Sequence, residues 1–489
     1  MRELQLSFIS NKPTIRLFNT LNYIERNRSF TIGELAEQND ASYRTTANDI
    51  KYLKEYFKDS ALFTSTSNGY IFQEIERSLY KERKKQLLEN ELLFKLVEDI
   101  FYGRLERIDE LAYQYNYSES AFRRLLMKCN PILNSYGLKW VSNPLTISGS
   151  EASLRKFFKD FFYEGVETPY SVLVDQRLPD LILNKVADKL SIDTYEVATG
   201  TTPTSFYYNF FITLIRVGQG CGVTIPKKIL ERVYEEKDFL LISSVSKEIE
   251  MVFGIHLSKE EFAWVYLVTM CDRTFNYEKF EKNFFEQFNL WPEITKMTEI
   301  FLNERKIPVN KHAQLAIFLK SFLLSIKIKD TIDPVLNKVM FDILDEFVSD
   351  NTEDYERNYR FLQGHKKTFA ISETYMRDIC ISLTLYSDML LDYYESSKKV
   401  YFLLEGNHLA YQSIRIKALK LFGNKHELTF VPIQSLTRDK LNAENIDLIV
   451  TNYSRYIADF INDIDYILVK DVPDEQDWSN ISNQLRDWK

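Results

Sequence analysis

Between residues 30 and 57 the apolar positions fall into two helical patterns separated by a polar break. Ile32, Leu35 and Ala36 share one helical face, and the pattern stops at Gln38-Asn39-Asp40. A second pattern starts after Ser42, whose hydroxyl is placed to cap the free N–H groups of a new helix. At about 100° per residue, Tyr43, Thr46, Ala47, Ile50, Leu53 and Phe57 occupy one sector and are expected to face inward. Arg44, Thr45, Asn48 and Tyr52 fall on the other side, with Lys51 on the flank. A guanidinium, a hydroxyl and a carboxamide near the start of a helix suit base edges and phosphates in a major groove. Upstream, Ile15, Phe18, Leu21 and Ile24 recur at helical spacing after Pro13. Downstream, residues 62–64 and 70–72 read as short strands around an Asn68-Gly69 turn. Three helices and a hairpin in this order predict a winged helix-turn-helix unit. A solvated helix in an ordinary bundle is the plainer reading of residues 42–57, and the hairpin weighs against it.

The same order of parts recurs. Ile108, Leu111 and Ala112 precede a break at Asn116, and Ser118 is placed to cap a helix that turns Phe122, Leu125, Leu126 and Cys129 inward. Ser120, Arg123, Arg124 and Lys128 lie toward its outer side, and residues 138–141 and 145–147 predict a second hairpin. A repeated order makes an accidental match less common, although a second unit that only packs is the competing reading. Residues 77–102 between the units read as one long helix with Lys81, Arg83, Lys84 and Lys85 near its start. A charge run on a helix is by default a solvated face.

From 151 to 397 the chain is helical, acidic and rich in large apolar residues, with segments such as LRKFFKDFFYEG, HAQLAIFLKSFLLSI and, at 335–348, VLNKVMFDILDEFV. Breaks at 218–222, near Pro292 and across 349–357 predict two bundles of similar size. The last ninety or so residues change period: apolar runs at 400–404, 428–432, 447–451 and 466–469, a helix at 411–422 and a final helix at 475–488. That alternation predicts a small α/β domain with a largely parallel sheet.

Length and composition bound these readings. A chain of 489 residues exceeds one hydrophobic core, and 45% hydrophobic residues with only 14 Gly and 12 Pro suit a folded, helix-rich protein. No apolar run reaches the roughly 18 residues of a membrane span, and the N-terminus has no signal-peptide pattern. Cys129, Cys221, Cys271 and Cys380 lie far apart, as reduced thiols of a cytoplasmic protein would. The formal charge of −8 divides into +2 for residues 1–150 and −10 for the remainder. DNA affinity therefore has to come from a few placed cations and from self-association.

Two winged units, two helical bundles and a small α/β domain together resemble the Mga/AtxA family of global virulence regulators of Gram-positive bacteria. The most specific local piece is SYRTTANDIKYL at 42–53, which looks like the recognition helix of that family. The resemblance implies a mainly α, multidomain fold: winged units at 1–75 and 76–160, bundles similar to phosphotransferase-system (PTS) regulation domains at 161–288 and 289–397, and an EIIB-like domain at 398–489. It also implies promoter DNA as partner and self-association as a homodimer or higher oligomer through the C-terminal domains. Regulation domains are phosphorylated on histidine, but NFFITLIR puts Asn209 at the first histidine position, with Arg216 retained, and EEFAWVYLV puts Val268 at the second, with Glu261 retained. In the second bundle Cys380 stands at the comparable place. His256 and His312 are left as candidates for phosphorylation, with PTS phosphocarrier proteins as partners, against a structural role as the commoner outcome. An active EIIB carries a phosphocysteine after its first strand; the loop here, Glu405-Gly406-Asn407-His408, has none.

The nucleotide-binding, metalloprotease and hydrolase motifs are missing from the sequence. The expectation is a cytoplasmic DNA-binding transcription regulator, with no enzymatic activity, cofactor, metal or membrane partner. Its candidate DNA contacts are Ser42, Tyr43, Arg44, Thr45, Asn48 and Lys51 in the first unit, and Ser120, Arg123, Arg124 and Lys128 in the second. A phosphotransfer or phospho-relay protein built on the EIIB-like domain is one alternative, and an RNA-binding antiterminator with paired regulation domains is another.

Overall fold

The first elements are helices α1 (Glu3–Leu6) and α2 (Lys12–Asn27), a short strand β1 (Ser29–Phe30), and helices α3 (Ile32–Gln38) and α4 (Tyr43–Tyr56). Strands β2 (Ala61–Thr66) and β3 (Gly69–Glu74) follow as an antiparallel hairpin, paired from Ala61↔Glu74 to Thr66↔Gly69, with β1 added on the β3 edge. Gly69 has φ +128°, and a Cβ there would meet the Phe30 carbonyl oxygen at 2.4 Å, so the turn requires glycine. Phe18, Leu21 and Ile24 of α2 bury with Leu35 of α3 and Ile50 and Leu53 of α4, which gives the three helices one shared core. Arg16 of α2 grips Asp49 of α4 with two hydrogen bonds, the Nη2 one at 3.0 Å. The computed structural model describes residues 1–164, 168–186, 199–275, 277–305, 307, 309–340, 352–394, 397–431, 446–455 and 464–485. Residues 341–348 and 486–488, the ends of two expected helical segments, lie outside them, as does Pro432.

The single helix expected over 77–102 is two helices, α5 (Arg77–Gln86) and α6 (Leu92–Phe101). Turns at 87–91 separate them, where the buried Glu91 carboxylate accepts the Ser10 N–H and Oγ–H at 2.8 and 2.9 Å. That long-range contact fixes the break. The cationic run on α5 is also not simply solvated: Lys84 is buried and bonds both Glu25 oxygens at 2.7 and 2.8 Å, and Arg83 reaches Asp59 at 2.8 Å. Helices α7 (Ile108–Gln114), α8 (Glu119–Met127) and α9 (Asn130–Ser135) and hairpin β4 (Lys139–Ser142)–β5 (Leu145–Ser148) repeat the pattern of the first unit.

A helical region then builds outward from α10 (Glu151–Phe162). Phe157, Phe158, Phe161 and Phe162 of α10 are buried, and the last three pack with Phe94 and Phe101 of α6 at centroid separations of 5.1–5.3 Å. Helices α11 (Arg177–Val186), α12 (Pro203–Gly218), α13 (Lys227–Val233), α14 (Lys237–Ser243), α15 (Ser246–Phe253), α16 (Lys259–Met270) and α17 (Glu278–Phe288) follow. A buried ion network joins three of them. Glu151 of α10 pairs with Arg216 of α12 at 2.8 Å and with Arg155 at 2.9 Å, and Arg155 reaches Glu261 of α16 at 2.6 Å. Glu261 also accepts the Val223 N–H at 2.9 Å. Beyond it come α18 (Glu293–Glu304), the 24-residue α19 (Val309–Ile332), α20 (Thr352–Phe369) and α21 (Met376–Tyr393).

The chain divides into two compact units, one of Met1–Ile294 with Lys320–Ser382, the other of Thr295–Leu319 with Leu383–Lys489. The second contains strands β6 (Lys399–Leu403), β7 (Glu427–Phe430), β8 (Leu448–Thr451) and β9 (Tyr466–Leu468), with α22 (His408–Phe422) and α23 (Glu475–Leu485). Its sheet has the order β7-β6-β8-β9 with every pair parallel, the arrangement expected from the alternating runs. Val400, Phe402, Leu448 and Val450 bury against Ile414 of α22 and Trp478 and Ile481 of α23, so this domain has its own core. The protein is thus mainly helical and multidomain. No helix among the described residues is long and apolar enough to cross a membrane.

Arg155→Met leaves Glu261 buried without its cationic partner, a loss of about 3–5 kcal/mol. Urea unfolding followed by circular dichroism should show that fall. Adding Glu261→Gln should recover part of it, because the amide oxygen can still accept the Val223 N–H.

Candidate nucleic-acid interface

Helix α4 starts where the sequence places it. Ser42 Oγ accepts the Thr45 N–H at 3.2 Å, and the two hydroxyls lie 2.8 Å apart. The helix before it starts on a capping box, with Thr31 Oγ1 accepting the Glu34 N–H at 3.2 Å and Glu34 accepting the Thr31 N–H at 2.7 Å. These caps satisfy N–H groups that the helix itself leaves open. They set where each helix begins, and so which residues lead.

Thr46, Ile50, Leu53 and Phe57 are buried as expected, with Ala47 half-buried. Tyr43 is not: its side chain is 64% exposed. It is the first residue of α4 and stands one turn before the core begins, so the helical sector continues but nothing covers it. Arg44, Asn48 and Lys51 are exposed, and none has a hydrogen bond or ion pair among the described residues. Thr45 is half-buried against the cap, and Tyr52 is exposed and stacks on Tyr56 at 5.7 Å. The outer face of α4 therefore presents a guanidinium, a carboxamide and an ammonium with no internal partners. Lys54, one turn on from Lys51, is exposed as well and extends the cationic edge. Spacing from Lys51 was the available signal for it.

The second unit brings its predicted residues to one face but commits them differently. Ser118 Oγ accepts the Ala121 N–H at 3.2 Å, and Phe122, Leu125, Leu126 and Cys129 are buried. Arg123 donates to Glu119 at 2.7 and 2.9 Å and to Ser142 Oγ at 2.9 Å, which ties α8 to its hairpin. Lys128 donates to the Ser10 carbonyl at 3.2 Å. Ser120 lies 3.2 Å from the Ser118 hydroxyl. Arg124 is exposed and has no partner among the described residues. Lys139, on the hairpin, is exposed too and did not stand out in the sequence.

The histidines named as phosphorylation candidates have ordinary surroundings. The exposed His256 Nδ1 lies 3.1 Å from Glu250, and His312 Nε2 donates to the Ile307 carbonyl at 2.7 Å. Asn209 and Val268 both line one cavity among the bundle helices. Cys380 is buried, with its Sγ 3.4 Å from the Tyr355 carbonyl. All four thiols are free, and burial pushes Cys129 and Cys271 up to about 12, far from the reactive thiolate range. After β6, Asn452 brackets the Glu405 backbone with two 2.8 Å hydrogen bonds, and Asn407 caps α22. No group of His, Cys, Asp and Glu among the described residues has the arrangement of a metal site.

Residues 73–162, which run from the end of β3 through α10, match the Mga helix-turn-helix domain family. The chain is 20% identical to the capsule synthesis positive regulator AcpB of Bacillus anthracis over 489 residues, spanning 93% of this chain and 95% of that protein. It is 25% identical to the capsule synthesis positive regulator AcpA of the same organism over 241 residues, 46% of this chain and 47% of that one.

If the Ser42 cap sets the start of α4, Ser42→Ala should cost about 1 kcal/mol of stability. Chemical denaturation should show this shift in the transition that reports the first unit, and Ser42→Asp should restore it.

Proposed function

We propose that this chain, a Mga-type helix-turn-helix transcriptional regulator, reads promoter DNA with the outer face of α4. The observation that carries the reading is the trio Arg44, Asn48 and Lys51, exposed and without internal partners. An Arg fits the O6/N7 edge of guanine, an Asn the N6/N7 edge of adenine, and a Lys the adjacent phosphate. Ser42, Tyr43 and Thr45 stand at the helix start, where backbone phosphates approach a recognition helix. The hairpins act as wings along the sugar–phosphate backbone.

The second unit is a phosphate clamp in this account. Its match to the family's helix-turn-helix domain supports a DNA role over packing alone. Arg124 and Lys139 carry its available charge, while Arg123 is already neutralised by Glu119 and Lys128 is bonded to the chain. Ser120 lines the same face.

In this reading the remaining modules are bundles similar to PTS regulation domains at 161–288 and 289–397, and an EIIB-like domain at 398–489. Self-association supplies what a DNA-binding half of charge +2 lacks. Two linked units raise the effective concentration of the second half-site contact, which strengthens binding by about 10²–10⁴ where the geometry permits. The α/β domain is the joining surface in this reading: residues 398–489 hold no cysteine for phosphotransfer, and its core is self-contained.

Arg44→Ala should weaken specific duplex binding by about 1–3 kcal/mol with unchanged folding. Arg124→Ala should reduce the slope of log K against log salt by about 0.9, and Arg123→Ala should reduce it by much less. Fluorescence anisotropy across a salt series, with an RNA competitor beside the duplex, checks both. Full affinity in Arg44→Ala would remove it from the interface. Deleting residues from 398 onward should lower self-association and promoter affinity together in sedimentation and DNA titration. A truncated protein that stays dimeric would move the interface into the bundles.

A further inference from the structure

Helix α4 is held in the first unit by two kinds of contact. Its inner side packs through the buried Thr46, Ile50 and Leu53, and burial is non-directional, so it resists separation more than rotation. The polar contacts are directional. At the far end of α4, Tyr56 Oη donates to the Arg83 carbonyl at 3.1 Å, and Arg83 donates back to the Tyr56 carbonyl. Midway along, Arg16 of α2 donates through Nε and Nη2 to the two carboxylate oxygens of Asp49, the Nη2 bond at 3.0 Å. A guanidinium and a carboxylate joined at two points fix an angle as well as a distance. The second unit fastens α8 differently, through Arg123 to the Ser142 hydroxyl of its own hairpin.

Asp49 stands immediately after Asn48 and two residues before Lys51, and it is the only acid between Asp40 and Glu55. Aspartate is a poor residue for a helix interior, and a bare carboxylate within about 10 Å of DNA phosphates opposes their approach. The Arg16 grip gives the acid a use and cancels its charge. The two side chains are 24% and 13% exposed, and a pair so placed adds little net stability. What it adds is orientation. With side chains at a radius of roughly 5–6 Å, turning a helix by about 20° moves them by about 2 Å. A bidentate contact between Arg or Asn and a base edge is lost over such a shift. Phosphate contacts, which carry no sequence information, tolerate it better.

We propose that Arg16 is a positioning residue for the DNA reading assigned to α4, on which this role rests: through Asp49 it sets the rotation of α4 and neutralises the acid beside the reading face. Sequence preference then depends on a side chain of α2, a helix outside the recognition helix itself.

The test is fluorescence anisotropy with the full-length chain at one salt concentration. The probes are the duplex that the unaltered protein selects from a random-sequence library and a scrambled duplex of equal length and composition. Arg16→Gln should weaken binding to the selected duplex by about tenfold or more and to the scrambled one by less than about threefold. Circular dichroism and Tm should stay close to those of the unaltered chain. Arg16→Lys, which keeps the charge and one contact, should recover part of the lost preference. Lys12→Gln, which removes a charge from the same helix, should leave the ratio of the two affinities unchanged. Asp49→Ala removes the other half of the grip and should lower the ratio in the same way, which keeps the test open if Arg16→Gln does not fold. An unchanged ratio in both variants, beside a fall in Arg44→Ala, would overturn the role of Arg16 alone. So would equal losses on the two duplexes, the mark of a phosphate contact, or a fall seen only where folding is lost. No fall in Arg44→Ala would remove the reading of α4, and the positioning role with it.

Discussion

Glu151 is the residue on which the larger unit turns. It begins α10 three residues after the second hairpin ends, and its carboxylate is shared by Arg155 and Arg216 in surroundings with little water. Arg155 passes the linkage to Glu261, and Gln219 closes it by donating to the Phe101 carbonyl of α6 at 2.6 Å. Helices α6, α10, α12 and α16 are thereby held in one register. A buried ion network is expensive to desolvate and gives little net stability. It does, however, penalise any arrangement in which one partner loses its mate. The second helix-turn-helix unit is consequently built onto the bundle by charge as well as by the aromatic packing of Phe101 with Phe158 and Phe162.

The two helix-turn-helix units share a plan and differ in how their outer faces are used. On α4 the polar side chains have been left open, and the neighbouring Asp49 is drawn off to Arg16 on the inner flank. On α8 an acid one turn earlier, Glu119, takes up Arg123 and converts a potential DNA contact into a strut between helix and hairpin. One unit suits base reading and the other suits positioning, although both rest on the same cap and the same inward apolar spacing. Affinity in such an arrangement is spread over modest contributions, which fits a DNA-binding half of small net charge.

Much of this was legible in the sequence, and what was missed has identifiable causes. Ser42 and Ser118 cap their helices as their spacing suggested, because capping is a local property of a few consecutive residues. The parallel C-terminal sheet was readable from short apolar runs alternating with a helical period. Tyr43 was misassigned because a helical wheel gives direction and not the point where the core ends. The break at 87–91 was invisible because its cause, Glu91 meeting Ser10, lies eighty-one positions away in the chain. The Arg123–Glu119 pair was within reach, since an acid four residues before an arginine on a helix is a standard partner. The Arg16–Asp49 pair was beyond reach, because its partners lie thirty-three positions apart and meet only when α2 packs on α4.

The central claim is that α4 faces the bases and α8 the backbone. Site-specific photocrosslinking to a promoter duplex tests it most directly, with the crosslinking side chain placed at residue 48 in one full-length variant and at residue 120 in another. Position 48 should crosslink to bases at a fixed place in the site, and the product should vanish with a scrambled duplex. Position 120 should crosslink to the backbone with little dependence on sequence. Base crosslinks from position 120 alone, or none from position 48 on a duplex the protein binds, would contradict the account.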